Sequence, residues 1–162
     1  MSTAEALRWL AQHQPLPPDG LITEEQLEVY DQIRQHFLRF PDERCIPLLL
    51  NSFGGRSGFG IYQLLDDNLF LYSPKQVVPH LVISLGSPNT HVRQWNAAMA
   101  ANFPDTSLIG PLARLLADSD EDVKAMAIIA LRQIKDDLAA IILALYAENE
   151  ADTDLRELAV GE

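Results

Sequence analysis

Leu108-Ile109-Gly110-Pro111-Leu112-Ala113-Arg114-Leu115-Leu116, followed by Ala117-Asp118-Ser119-Asp120-Glu121-Asp122 and then Val123-Lys124-Ala125-Met126-Ala127-Ile128-Ile129-Ala130-Leu131-Arg132-Gln133-Ile134, decides the fold. It reads as an apolar helix, an acidic turn and a second, Ala-rich helix. The same pattern returns along the chain. Phe40, Tyr72, Phe103 and Ile134 mark it, spaced 32, 31 and 31 residues apart, and the first three precede a proline by one or two positions. A fixed period of this size in helical sequence implies stacked helical units, each burying its apolar face against its neighbours.

Eleven residues before each marker stand Val29, Ile61, Val92 and Val123. Ile33, Leu65, Asn96 and Ala127 follow four residues on, then Phe37, Leu69, Ala100 and Leu131, which together trace one face of a 3.6-residue period. Apolar segments Ile46 to Phe53, Val77 to Leu85 and Leu108 to Leu116 precede the last three of these helices, with Pro47 and Pro79 expected near the starts of two. Asn96, a polar residue in a core position, is expected to hydrogen-bond across to a neighbouring helix or turn. Upstream, Ala4 to Gln12 is a helix-like run with Leu7, Leu10 and Ala11 on one face. Pro15 to Gly20 is a breaker-rich linker, and Thr23-Glu24-Glu25-Gln26 is a capping-box start.

The acidic turn, the Val-Lys pair and the later Ala130-Leu131 resemble a HEAT repeat. Val92-Arg93 repeats the pairing, and Asp152-Thr153-Asp154-Leu155-Arg156 looks like the start of a further unit. The resemblance covers roughly residues 25–160. It implies an all-α, right-handed solenoid of helical hairpins with about nine helices in a single domain. Residues 1–24 would form a capping helix and linker, 25–40, 43–72, 75–103 and 106–134 the repeats, and 138–162 a truncated terminal repeat. The resemblance also implies that the second helices line a concave face. Gln32, Leu64, Trp95 and Met126 would then project from the core, as would Gln35, Asp67, Ala98 and Ile129, and Arg39, Leu71, Asn102 and Gln133. Large apolar residues at outward positions suit contact with a partner. The candidate binding residues are therefore Leu64, Trp95, Met126, Ile129 and Asn102, with Arg56 and Phe59 from the Gly54–Gly60 loop. Asp118, Asp120, Glu121 and Asp122 form a candidate acidic rim.

Twelve basic and 23 acidic residues give a net charge of −11. Residues 118–162 hold twelve acids against four bases, which leaves no basic stripe for nucleic acid and favours a basic protein partner. No apolar run approaches a membrane span, and the N-terminus lacks the build of a secretory signal. Cys45, the single cysteine, lies in an apolar helix and reads as a buried, inert thiol in a reducing cytoplasm. His13, His36, His80 and His91 lack zinc-helix spacing. His36 falls on a core face and His91 in an exposed turn. Asp66-Asp67 and Asp136-Asp137 point about 100° apart on a helix. The Gly54–Gly60 segment has no Gly-Lys-Ser/Thr ending and reads as a wide turn or a contact loop. No catalytic, cofactor or metal residues are expected. The functional expectation is a monomeric, cytoplasmic, non-catalytic module that binds one protein, of the immunity kind that neutralises a basic bacterial toxin domain. The alternatives are an adaptor like the HEAT-type proteins that accompany phycobilin lyases and, more remotely, a HEAT-like DNA glycosylase.

Overall fold

The computed structural model describes residues 1–161. Among these are ten α-helices and three single-turn 3-10 helices, with no strand, where about nine helices were expected. The chain divides into two compact units, Met1–His80 and Leu81–Glu162.

In the first unit, α1 (Thr3–Gln12) and α2 (Glu24–Arg39) each start on a reciprocal capping box, Ser2 with Glu5 and Thr23 with Gln26. α1 buries Ala6 and Leu10, while Ala11, expected on the inner face, is exposed. α2 buries Tyr30, Ile33 and Phe37. Val29 is only half-buried, and Phe40 is 60% exposed at the helix C-cap although it marks the repeat. The short α3 (Cys45–Leu50) leads into the glycine-rich loop. Two 3-10 turns follow, and then only five residues of helix, α4 (Leu65–Leu69), where a continuous second helix was expected. The physical reason lies in the loop: Arg56, Gly58, Phe59 and Gly60 all adopt positive φ, and no side chain caps α4. The Asn68 amide ties α4 to α2 by donating to the Arg34 carbonyl at 2.9 Å.

α5 (Pro74–Ser84) runs across the boundary between the units. Pro74 takes the tolerated first position. Pro79 sits in the helix interior rather than near its start, where it removes one backbone hydrogen bond.

The second unit contains α6 (Thr90–Ala100), α7 (Ile109–Leu115), α8 (Glu121–Gln133), α9 (Asp137–Asn149) and α10 (Thr153–Val160). α8 packs against α6 and α10, while α7 and α9 pack together and against α8. Here the period becomes chemistry. Asn89, Asp120 and Asp152 are N-caps whose side-chain oxygens accept from the backbone N–H of Val92, Val123 and Leu155, at 3.1, 3.1 and 2.9 Å. Each cap contributes about 1 kcal/mol. Two residues before each cap, Ser87, Asp118 and Glu150 accept from the cap's own N–H. The capped Val92, Val123 and Leu155 are buried. A ladder of ion pairs repeats in the same register, Arg93 with Asp118 at 2.8 Å and Lys124 with Glu150 at 3.7 Å. Asp105 starts the 3-10 turn Thr106–Leu108 that leads into α7, and Asp136 starts α9, each by accepting from a backbone N–H two residues on, Ser107 and Leu138. The Asn96 amide donates to the Val92 carbonyl of its own helix at 2.8 Å.

Candidate interaction surfaces

The inward-facing positions Ile33, Leu65, Asn96 and Ala127, and Phe37, Leu69, Ala100 and Leu131, are all buried. None of the twelve outward positions is. Helical geometry accounts for both, since residues three to four apart share a face. Within the second unit, Trp95 on α6 and Met126 on α8 stand one repeat apart on two packed helices, half-buried, with Ile129 half-buried one turn beyond Met126. Asn102 is exposed just after α6. In the first unit, Leu64 is 43% and Phe59 67% exposed, and Arg56 is exposed.

The glycine-rich loop is more firmly held than a plain connector. Leu16 of the proline-rich segment donates its N–H to the Ser52 carbonyl at 2.9 Å, and the Asp19 carboxylate accepts from the Gly58 N–H at 2.9 Å. The Gly54 N–H donates to the Tyr62 hydroxyl at 2.9 Å. A Cβ at Gly54 would collide with the carbonyl oxygens of Leu16 and Pro17, so the close approach of the two segments requires glycine. The loop thus presents Arg56 and Phe59 from a braced base.

The four rim acids divide into two kinds. Asp118 forms a two-pronged ion pair with Arg93, whose guanidinium holds the Asp118 carboxyl below the ordinary carboxylate range against the opposing effect of burial. Asp120 is the α8 cap. Both serve folding first. Glu121 and Asp122 are exposed in the first turn of α8, where negative charge suits the helix dipole.

The reactive side chains are dispersed. Cys45 is fully buried, 3.5 Å from the Tyr72 hydroxyl, and burial pushes its thiol up to about 11. His13 stacks on Trp9 with ring centroids 4.1 Å apart, and the half-buried His36 meets the Thr3 hydroxyl at 3.0 Å. His91 lies half-buried in the first turn of α6, not in an exposed turn. Among the described residues no three His, Cys, Asp or Glu side chains gather as a metal site, and no helix is long and apolar enough to cross a membrane.

One surface was missed by the sequence reading. α9 exposes Leu138, Ile141 and Leu145 at 54, 54 and 55%, on the face opposite its buried Ala139, Leu143 and Ala147. The signal was present as an apolar helix with no polar side, which periodicity searches for one apolar stripe pass over.

The repeated caps, the ion-pair ladder and the paired helices of the second unit define a helical-repeat protein. A family model described as HEAT repeats matches residues 78–161, just over half of the chain. The chain belongs to the HEAT-repeat family, whose helical repeats serve as protein-interaction modules and are generally non-catalytic. The match starts well after residue 25, and the first unit's glycine loop and broken second helix account for the difference. No curated protein matches the chain.

Proposed function

We propose that the chain is a stoichiometric binding module for one basic protein, of the immunity kind that occupies and silences a toxin domain in the cytoplasm, and that it works as a monomer. On this reading the repeats comprise residues 25–40, 43–72, 75–103 and 106–134, with 1–24 as a cap and 138–162 as a partial terminal unit. The observation that carries it is the placement of Trp95 and Met126 at equivalent repeat positions on packed helices, half-exposed where a purely solvated face would carry Lys and Glu. The net charge of −11, concentrated beyond residue 118, supports a basic partner and rapid, salt-sensitive association. Ile129 and Asn102 extend the contact, and Leu64, Arg56 and Phe59 offer a second one. Glu121 and Asp122 act on association rate, joined by what charge Asp118 and Asp120 leave unneutralised.

The test is recovery of the partner from lysate of the source cell at low salt, followed by measurement with Trp95→Ala. Truncation should weaken binding by about 2 kcal/mol or more, the hot-spot scale, roughly thirtyfold in Kd. Recovery of nothing but chaperones by the wild type would defeat the reading. So would a Trp95→Ala protein that melts early yet binds normally per folded molecule, since Trp95 would then serve only packing between helices.

A further inference from the structure

The internal repeat supplies its own control for α9. Ser107, Gly110 and Arg114 stand 31 residues before Leu138, Ile141 and Leu145 and are also exposed. That face of α7 and of the 3-10 turn leading into it is small or charged, as a solvated helix face should be, whereas the corresponding face of α9 carries three large aliphatic side chains. Their spacing of three and four residues lines them along one stripe about 10 Å long, the reach of two helical turns. α9 therefore has two apolar faces, and its own chain covers one of them.

Charge decides what suits the other. Exposed Asp137 and Glu148 flank the stripe on α9, and Asp154 and Glu157 are exposed on the adjoining α10. From residue 136 to 162 the sequence holds eight acids and one base, Arg156. A second copy of the chain docking through the same stripe would bring two such acidic ends together, and each copy carries −11. A helix with an aliphatic stripe flanked by Lys and Arg meets both demands at once, laying its apolar side chains against Leu138, Ile141 and Leu145 and its cations against the acids.

We propose that the outer face of α9, Leu138–Ile141–Leu145, docks a basic amphipathic helix of a partner protein. This rests on the protein-binding reading and deepens it by adding a further surface, separate from Trp95 and Met126, and by giving the chemistry of the element that occupies it.

The probe is a fluorescein-labelled 18-residue peptide of Leu and Lys in helical period, titrated by anisotropy into the full chain at 0.15 M salt. A scrambled peptide of identical composition serves as the control. Wild type should bind the amphipathic peptide at least tenfold more tightly than the scrambled one, and Ile141→Ser/Leu145→Ser should abolish that preference. Trp95→Ala should retain it. A benzophenone amino acid at position 141 should crosslink to the peptide, while one at position 114 on α7 should not, and this readout stands even if the double variant folds poorly. Equal binding of both peptides, or equal binding by wild type and the double variant, would overturn the proposal, since charge alone would then hold the peptide. Sedimentation showing a wild-type dimer that the double variant dissolves would overturn it in favour of a second copy. Crosslinking from position 141 to another segment of the same polypeptide would overturn it in favour of an internal cover. If the natural partner is recovered and held equally by wild type and the double variant, this inference fails while the protein-binding function stands. If no partner is recovered at all, the functional reading fails first.

Discussion

Asp118→Ala separates acids that build the fold from acids free to meet a partner. Asp118 accepts from Arg93 Nε at 2.8 Å and Nη2 at 3.2 Å, and it also caps the Asp120 N–H at 3.1 Å. The two side chains are 17% and 8% exposed, Arg93 and Asp118 respectively. Removing one partner of a fully buried pair costs about 3–5 kcal/mol, chiefly by stranding the other charge. Arg93 retains the Ser87 carbonyl and the Thr90 hydroxyl, and some water reaches it, which lowers the expected loss to about 2–4 kcal/mol. In urea, where m is about 1–3 kcal/mol/M, the midpoint should fall by roughly 1 M or more. Asp122→Ala, on the exposed first turn of α8, should cost under about 1 kcal/mol, the helix-dipole contribution. The pH dependence follows with a definite sign. Because Arg93 depresses the folded carboxyl, the stability from Asp118 is complete above the ordinary aspartate value of about 3.9 and is lost as pH falls through its lower folded value. The gap between wild type and Asp118→Asn should therefore be constant from pH 5 to 7 and close below about pH 4. Equal urea midpoints for Asp118→Ala and Asp122→Ala would refute the distinction between structural and exposed acids.

Two further substitutions test the packing of each unit. Leu131→Ala, at a fully buried position on α8, should cost about 2–5 kcal/mol through the cavity it leaves, read as a lowered denaturation midpoint. Gly54→Ala should destabilise the first unit by about 1–3 kcal/mol, because the added methyl meets backbone rather than a movable side chain. Hydrogen exchange should then rise in the Leu16–Gly20 and Ser52–Gly60 segments while the amides of α8 keep their protection.

Much of the second unit was legible because its determinants are local. Val123 and Leu131 fall on one helical face by spacing alone, and the turn acids recur with the period, so inward and outward positions could be separated before any contact was known. The first unit was less legible. A run with apolar residues at Ile61, Leu65 and Leu69 promised a helix, but positive φ angles at Arg56 and Phe59 and an uncapped start leave 3-10 turns and five helical residues. Propensity yields there to a loop held by contacts from residues about forty positions earlier, such as Asp19 with Gly58.

By itself the sequence determined the helical class, the 31–32-residue repeat, the family and the acidic charge, since each is carried by spacing or composition along the chain. Tertiary structure alone decided which equivalent residues differ in exposure and duty. Asp118 and Asp122 are four residues apart in one acidic turn, yet one is bound to Arg93 across 25 residues and the other faces water. Leu143 and Leu145 are two residues apart in one apolar helix, yet one is buried and the other 55% exposed. Periodicity places a residue on a face of its helix. Only the packing of neighbouring helices determines whether that face is covered.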